Sequence, residues 1–480
     1  MDGIKIISRD LGSVLIIVGI IYTFTISIPI IFNEYYAILW LLLTSGVFVA
    51  LGMFLRLMGR KAEETKLRHA VATAGLSWIF IPLLSVIPFM FISNLDFLSA
   101  FFESMSGWTT TGLTMLGGSE AGLSHTIQFL RTFSQWIGGI GVVVLTVTIL
   151  ARPGSGSYSL YRSEAREEKI HPSIISTIRS MWWMFLLYTV VGIVLLSVFG
   201  MPIWDAINHS MCAISTGGFS VEGASIGAYN SAYIEIIIII IMALGAIAFI
   251  AHHKLLTGNI RKFLKDIQFR ALIFLIILGG GVLTFLNLSY YDGSWLTSFQ
   301  YSFFQFASAQ TTTGFASTDI SSWIPASKLI LSFGMIIGGA AGATCGGIKL
   351  FRIILLAKET GWMTKKIGST PRRVSSYKLA GKNISSEEKS EIVNEAAIIA
   401  VLWVICLIIG IFVLLATTSG YSLDDIIFEV CSAQGNVGLS MGITHVAMNP
   451  LSKIMLIISM YIGRLEIIPI LMMVRTMLRR

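Results

Sequence analysis

The chain has 480 residues, of which 55% are hydrophobic and only 12% are charged. Soluble domains carry about 25% charged residues, so this composition excludes a cytosolic or secreted enzyme and a disordered chain. The four cysteines lack metal-ligand spacing and indicate neither a disulfide framework nor a transition-metal site. The net charge of +8 suits basic cytoplasmic loops, and we expect no nucleic acid as a partner. The class that remains is a polytopic protein embedded in membrane lipid.

Apolar stretches of the length that crosses a bilayer, about 20 residues, recur along the chain. Ten are predicted to be spanning helices, the eighth of them interrupted: 11–31, 37–57, 71–93, 127–151, 181–200, 232–252, 269–289, 327–357, 394–418 and 451–476. Four shorter apolar stretches are predicted to be re-entrant helices: 96–107, 203–213, 295–309 and 424–434. The predicted fold class is therefore an all-α polytopic membrane protein.

Lysine and arginine residues concentrate in alternate loops and predict the orientation. The basic segments are 56–68, 152–179, 254–270, 358–389 and the tail from 475. The opposite loops are mainly acidic, with Arg131, Lys328 and Lys453 as exceptions at helix starts. Both termini are therefore predicted to be cytoplasmic, and the re-entrant segments to face the outside of the inner (cytoplasmic) membrane.

The polar stretch after each short apolar segment is repeated four times. In each copy, five residues separate a small residue from a glycine, and a large apolar residue follows the glycine. The four copies are 106–114, 212–220, 308–316 and 432–440, with their glycines at Gly112, Gly218, Gly314 and Gly438. Each copy lies between two predicted spans. The repeat unit is therefore a helix, a re-entrant helix, a polar loop and a second helix.

The chemistry predicted for these loops comes from their backbone. A polar loop at membrane depth must be buried in protein or line a water-filled path. Glycine allows the backbone angles that turn carbonyl oxygens inward, and rings of carbonyls can replace a cation's hydration shell. Asp96, Asp205 and Asp424 or Asp425 are predicted to cap the re-entrant helices. Glu103 either supports its loop from behind or reaches water, and Asn436 is a candidate hydrogen-bond donor to a neighbouring loop.

Two further candidates lie in the predicted spans. The glycine-rich stretch 334–347 is not a phosphate loop, because lysine does not directly follow the required glycine. It indicates either close helix packing or a broken helix. Arg464 lies mid-span, where a charge is expensive, so we expect it to face the bundle interior. There it serves either a structural ion pair or the conduction path.

The four loops resemble the selectivity filters of the Trk/Ktr/HKT superfamily of potassium transporters, and the chain is most similar to the TrkH type. The stretches 131–141 and 462–466 add to the resemblance, as does the N-terminal helix pair. The resemblance implies potassium binding by the filter residues Thr110, Thr111, Gly112, Thr216, Gly217, Gly218, Thr312, Thr313, Gly314, Asn436, Val437 and Gly438. It also implies gating by an intramembrane loop and a barrier residue, with the candidates Gly338, Gly339, Gly342, Gly346, Gly347, Lys349 and Arg464.

The expected function is potassium uptake, with the potassium ion as the bound species and no organic cofactor in this chain. The resemblance further implies a homodimer that assembles with a cytosolic ring of TrkA-type nucleotide-binding regulators. The expected division is a helix pair and four pore repeats: 1–67, 68–170, 171–266, 267–390 and 391–480. A sodium- or proton-coupled symporter and the membrane subunit of an ATP-driven pump remain alternatives. An intramembrane enzyme is not expected, because no catalytic motif lies at membrane depth.

Overall fold

The computed structural model describes residues 2–60, 62–150, 174–367, 377–379 and 382–478. The predicted basic segments 152–179 and 358–389 lie partly outside these residues, as do Lys61, Arg479 and Arg480. The N-terminal helices are α1 (Asp2–Thr25), α2 (Ser27–Ile31) and α3 (Ile38–Met58). The first repeat holds α4 (Leu67–Leu84), α5 (Val86–Phe91), α6 (Phe97–Trp108) and α7 (His125–Leu150). The second holds α8 (Ile174–Val198), α9 (Ile203–Ile214), α10 (Ala232–Gly245), α11 (Phe249–Leu256) and α12 (Ile260–Leu264).

The third and fourth repeats complete the helical architecture. The third repeat holds α13 (Ile267–Leu286), α14 (Trp295–Gln310), α15 (Pro325–Ile337) and α16 (Leu350–Ile367). Two short strands, β1 (Tyr377–Leu379) and β2 (Lys382–Ile384), follow as an antiparallel hairpin in which Tyr377 pairs with Ile384. The fourth repeat holds α17 (Ser386–Thr417), α18 (Leu423–Gly435), α19 (Pro450–Leu465) and α20 (Ile467–Leu478). Short 3-10 turns lie at Tyr35–Ala37, Glu120–Gly122 and Ser225–Tyr229.

The N-terminal helices α1 and α3 pack against each other through glycines. A methyl group added at Gly12 would lie 2.7 Å from the backbone nitrogen of Arg56, and one at Gly52 would lie 2.8 Å from the carbonyl oxygen of Gly12. Small residues allow this close approach of helix backbones, which is how helices associate in lipid. The pair is therefore a packed unit beside the four repeats.

The described residues contain six helical segments that are long and apolar enough to cross a membrane. They are Gly3–Ile31, Tyr35–Met58, Arg68–Phe91, Ile175–Val198, Ile267–Leu286 and Ser386–Thr417. Two form the N-terminal pair, and the other four are the first helix of each repeat. The prediction of an all-α polytopic membrane protein is confirmed.

The second helices of the second and fourth repeats depart from the prediction of continuous spans. The predicted span 232–252 is not one continuous helix, because α10 and α11 are bent by 109°. The predicted span 451–476 is not continuous either, because α19 and α20 are bent by 99° at Glu466, which has a φ of 64°. The predicted interruption of the eighth span is present, since residues 338–349 separate α15 from α16. The second helices of repeats two, three and four are thus all broken.

The core lies around the four short helices α6, α9, α14 and α18. The large apolar residue after each loop glycine is almost fully buried in it: Leu113 is 1% exposed, Phe219 1%, Phe315 0% and Leu439 2%. This burial explains why the sequence motif ends with a large apolar residue. It anchors the outer end of each loop in the hydrophobic interior, where it contributes about 1.5–3 kcal/mol per side chain.

Candidate functional site

The four polar loops share one backbone conformation. The residue two positions before each glycine has a left-handed φ: 52° at Thr110, 52° at Thr216, 54° at Thr312 and 52° at Asn436. The glycines also have positive φ: 93° at Gly112, 78° at Gly218, 86° at Gly314 and 100° at Gly438. A left-handed conformation is an outlier for a β-branched residue such as threonine and persists only where its surroundings impose it. The loops are therefore held, in four copies, in a conformation typical of functional sites.

One backbone hydrogen bond, repeated in all four copies, ties each loop to its short helix. The N–H of the residue before the glycine donates to the carbonyl of the small residue that opens the motif. The bonds are Thr111 to Ser106 at 2.9 Å, Gly217 to Cys212 at 2.8 Å, Thr313 to Ser308 at 3.0 Å, and Val437 to Ser432 at 2.9 Å. In the first and fourth loops, the Oγ of Ser106 and of Ser432 also accepts from the glycine N–H at 3.0 Å. This geometry accounts for the spacing of small residue and glycine.

The four loops close into a ring. A methyl group added at each glycine would collide with a carbonyl oxygen of the next loop. The contacts are Gly112 with Gly217, Gly218 with Thr313, Gly314 with Val437, and Gly438 with Thr111. The order runs from the first repeat through the fourth and back to the first. No side chain fits at these positions, so the glycines are required both by their φ and by the close approach.

The ring residues are the twelve loop residues proposed from the sequence: Thr110, Thr111, Gly112, Thr216, Gly217, Gly218, Thr312, Thr313, Gly314, Asn436, Val437 and Gly438. They are buried except for Gly112, Gly218, Gly314 and Gly438, which are partly exposed. Among the residues that the structure describes, only Gly217 has a ring carbonyl that accepts a hydrogen bond, from Gln135 Nε2 at 2.5 Å. Buried carbonyls normally have partners. The other eleven are available to a ligand, and the C-terminal ends of the short helices add partial negative charge that favours a cation.

The segment 338–349 lies directly on the inner side of the ring. Its Gly346 N–H donates to Thr312 Oγ1 at 2.8 Å, and a methyl group at Gly346 would collide with the carbonyl of Gly435. Thr216 Oγ1 lies 3.3 Å from Thr344 Oγ1. The segment therefore contacts the second, third and fourth repeats beneath the loops. It is a broken helix, and the alternative of close packing within a continuous helix is excluded.

Arg464 joins this segment to the first repeat. It is 4% exposed, and its Nη1 donates to the carbonyl of Thr344 at 2.6 Å while its Nη2 donates to the carbonyl of Gly138 at 3.0 Å. Arg464 does not form an ion pair with Glu466, because Glu466 pairs with Arg352 at 2.6 Å. Arg464 thus faces the bundle interior, as expected.

The other predicted residues of this region lie within the segment or at its ends. Gly338, Gly342 and Gly347 have φ of 69°, 78° and 78°, and Lys349 has a φ of 83°. A methyl group at Gly339 would meet the side chains of Cys345 and Ala246, and Lys349 Nζ donates to the carbonyl of Cys345. The positive φ values and the tight contact at Gly339 explain why the stretch is rich in glycine.

Comparison with known proteins identifies the family of this chain. A model of the TrkH family, described as cation transport protein, matches residues 42–479. The chain belongs to the TrkH family. It is 35% identical over 471 residues to an uncharacterized cation transporter of Methanocaldococcus jannaschii, covering 97% of this chain and 94% of that protein. It is 34% identical over 447 residues to the Trk system potassium uptake protein TrkH of Salmonella typhimurium, covering 90% of each.

A solved structure agrees with the family assignment. The crystal structure of the potassium transporter TrkH from Vibrio parahaemolyticus matches with a TM-score of 0.85 and 29% identity, covering 97% of each chain. These relatives are named as transporters, so the TrkH-family chain is a transport protein and not an enzyme.

A second ring of contacts joins the repeats of this TrkH-family chain near the N-terminal ends of the short helices. The fourth residue of each second helix reaches the start of the short helix in the next repeat. The pairs are Gln128 with Trp204 at 2.8 Å, Glu235 with Gln300 at 3.1 Å, Lys328 with Asp425 at 2.6 Å, and Lys453 with Ser99 at 2.7 Å. Lys328 and Lys453 lie in the first turns of their helices, as predicted, and are buried links between repeats.

A buried ion pair supports the first loop. Arg131 Nε lies 2.8 Å from Glu103 Oε1, and the two side chains are 1% and 0% exposed. Glu103 also accepts from the Met115 N–H at 2.8 Å, and Arg131 donates to the carbonyl of Ser220 at 3.0 Å. Glu103 therefore supports its loop from behind, and the alternative of reaching water is excluded.

The helix caps correct part of the sequence prediction. Asp96 caps α6 as predicted, accepting from the N–H groups of Leu98 and Ser99 at 3.1 Å each. The predicted caps Asp205 and Asp424 or Asp425 are wrong, because the capping positions of α9 and α18 are Pro202 and Ser422. The two predictions are wrong because an acidic residue within the first turn is as favourable as one at the capping position, since both lie near the positive end of the helix dipole. Asn436 does contact a neighbouring loop, donating to Thr111 Oγ1 at 3.0 Å.

Proposed function

We propose that this TrkH-family chain carries potassium into the cell, down its electrochemical gradient, through the ring residues. The observation that supports this most directly is the closed ring of four loops, in which eleven of the twelve carbonyls lack a hydrogen-bond donor among the described residues. Such carbonyls replace the water around a weakly hydrated cation. Relatives at 34% identity are named as potassium uptake proteins, and this supports potassium as the ion.

We also propose that the segment 338–349 is the gate. It lies beneath the ring, contacts the second, third and fourth repeats, and is linked to the first repeat by Arg464. A gate here has to move away from the axis for an ion to pass. The glycines of the segment allow the changes in backbone angles that such a hinge requires. Gly338, Gly339, Gly342, Gly346, Gly347, Lys349 and Arg464 are the proposed gating residues.

The gate is proposed to be under the control of a cytosolic partner. The helix α16 continues directly from the segment 338–349, so a force on α16 reaches the gate. The proposed assembly is a homodimer with a cytosolic TrkA-type nucleotide-binding ring, in a membrane orientation with both termini cytoplasmic. The name "Trk system" of the relatives supports a multi-component assembly. The division into a helix pair and repeats at 68–170, 171–266, 267–390 and 391–480 is part of the same proposal.

Ion flux into liposomes that contain only the purified chain tests this function. With separate potassium and sodium gradients, we expect potassium-selective flux that needs no sodium, no proton gradient and no ATP. Flux that requires sodium or a proton gradient would support a coupled symporter instead. Flux that requires an ATPase subunit and ATP would support the membrane subunit of a pump.

A further inference from the structure

A row of four polar residues lies behind the ring, at one position of each short helix. These residues stand nine positions before the loop glycine: Glu103, His209, Gln305 and Glu429. All four side chains are 0% exposed. Three residue types occur among them, so the sequence shows no single conserved type at this position of the repeat. All four nevertheless occupy the same place in their repeats. We refer to them as the brace residues.

Each brace residue binds its own loop eleven or twelve positions further along the chain. Glu103 accepts from Thr114 Oγ1 at 2.9 Å and from the Met115 N–H at 2.8 Å, and Glu429 accepts from Ser440 Oγ at 2.8 Å and from the Met441 N–H at 2.8 Å. His209 Nε2 lies 2.9 Å from Ser220 Oγ, and Gln305 Oε1 accepts from the Ser317 N–H at 3.2 Å. The brace thus fixes the part of the loop that follows the glycine.

The loop is held on both sides of its glycine. On the inner side, the hydrogen bond to the opening small residue fixes the residue before the glycine. On the outer side, the brace residue fixes the second and third residues after it. The glycine carbonyls therefore cannot move toward or away from the axis without breaking one of these bonds.

The four braces are unequal in charge and in the number of bonds. Glu103 is paired with Arg131, whereas Glu429 has no cationic side chain within salt-bridge distance among the described residues. Glu429 is held instead by four donors, since the N–H and the Oγ1 of Thr444 join Ser440 and Met441. Within the described part of the chain, Gln305 makes one side-chain hydrogen bond to its loop, and its Nε2 has no hydrogen-bond partner. In ring order, two carboxylates are adjacent and two neutral braces are adjacent.

We propose that the brace residues are specificity-determining positioning residues, which set the potassium-to-sodium selectivity by fixing the width of the ring. The proposal rests on the proposed function. A ring of carbonyls distinguishes two cations by its size and by how rigidly its oxygens are held. Loosening one brace lets the oxygens close around the smaller ion, so selectivity falls while the pore still conducts. A residue that serves only folding would change the stability and leave the selectivity of the folded protein unchanged.

Substitutions at two braces test this proposal, with the potassium-to-sodium permeability ratio in liposomes as the readout. His209→Gln installs the side chain that the third repeat already uses, and we expect it to keep the wild-type ratio. His209→Leu removes the hydrogen bond to Ser220. Glu429→Gln replaces one carboxylate oxygen, which accepts hydrogen bonds, with an amide NH₂ group, which donates them and therefore faces other donors. We expect each of the two to lower the ratio by about tenfold, which corresponds to about 1.4 kcal/mol. The matched control is Glu387→Gln, the same change at an exposed residue in the first turn of α17.

The outcomes are separable. Wild-type protein that shows no potassium selectivity contradicts the proposed function itself. A selective wild type together with monodisperse His209→Leu and Glu429→Gln proteins that keep its ratio overturns the brace proposal. Where those two proteins do not fold, Glu429→Asp decides, because it keeps the charge and shortens the reach. A folded Glu429→Asp protein with the wild-type ratio then overturns the proposal, and a lowered ratio supports it.

Discussion

Removal of Arg464 is the perturbation whose effect on the gate can be derived most directly. The guanidinium is 4% exposed and donates to Thr344 in the segment 338–349 and to Gly138 in α7. It therefore does two things: it places a positive charge beneath the ring, and it ties the segment to the first repeat. Arg464→Ala removes both effects at once, so we predict that potassium flux through the chain alone will rise.

The size of the effect follows from the two hydrogen bonds. A hydrogen bond from a charged donor contributes about 1.5–3 kcal/mol. Opening that breaks both bonds is therefore opposed by up to about 3–6 kcal/mol, and every 1.4 kcal/mol removed raises the open population about tenfold. The bonds that Arg464 gains in the open state reduce this difference. We expect at least about a tenfold rise in flux, the effect of about 1.4 kcal/mol.

Two further variants separate charge from tethering. Arg464→Lys keeps the positive charge but loses the planar fork that reaches two carbonyls together, so its flux should lie between wild type and Arg464→Ala. Arg475→Ala is the matched control, since Arg475 is an exposed arginine in the last turn of α20. Flux is measured in liposomes with equal amounts of monodisperse protein. Unchanged or lower flux in Arg464→Ala would refute both proposed roles of Arg464, namely the positive charge beneath the ring and the link between the segment 338–349 and the first repeat.

Three other perturbations have defined outcomes. Gly314→Ala should abolish potassium selectivity, because its methyl group would collide with the carbonyl of Val437 at a φ of 86°; the permeability ratio checks this. Arg131→Met should destabilise the protein by about 3–5 kcal/mol by stranding Glu103, and Glu103→Gln in the same chain should recover part of the loss, as measured by denaturant unfolding in detergent. Glu34 lies in the loop before α3. Burial raises the pKa of its carboxyl group, but the hydrogen bonds that His125 and Thr126 donate to it have the larger effect and hold this pKa below 4.5. The stability that Glu34 contributes is therefore full above pH 4.5 and is lost as the pH falls through its lowered pKa. Glu34→Gln should accordingly lower the thermal midpoint at pH 7, with a deficit that shrinks on acidification; a deficit that persists at low pH contradicts the carboxylate's role.

The four loops could be predicted from sequence because their requirement is local. A left-handed φ combined with close approach of another backbone leaves glycine as the fitting residue, and the same demand occurs four times. The spacing to Ser106 and Ser432 comes from hydrogen bonds within six residues of chain. Repetition of a local signal is visible without any knowledge of which repeats touch.

The brace residues could not be found in the same way. Glutamate, histidine and glutamine form the same kind of hydrogen bond at the same position of the repeat, so a search for identical residues does not find them. The available signal was a polar residue at one fixed distance before each glycine, inside an otherwise apolar short helix. The sequence indicates Glu103 as a possible support of its loop, but it does not single out His209, Gln305 or Glu429 at the equivalent positions.

Contacts between repeats were the other part that the sequence did not supply. Lys328 and Lys453 stand at helix starts, where the positive-inside rule counts them as loop charges. The structure pairs them with the next repeat, and this depends on the order of repeats around the axis. The bend between α10 and α11 is also not visible in the sequence, because the hydropathy is continuous across it. Gly245, at the end of α10, lies close to α9, since a methyl group there would lie 2.6 Å from the carbonyl of Ile214.

The most direct test of the account is the location of the bound ion. Crystals grown with rubidium in place of potassium give an anomalous signal that marks the ion without assumptions about its ligands. We predict a peak on the axis of the ring, coordinated by carbonyl oxygens of all four loops, and its loss in sodium alone. A peak elsewhere in the molecule, or an axis that stays empty at saturating rubidium, would contradict the claim that these carbonyls hold the cation.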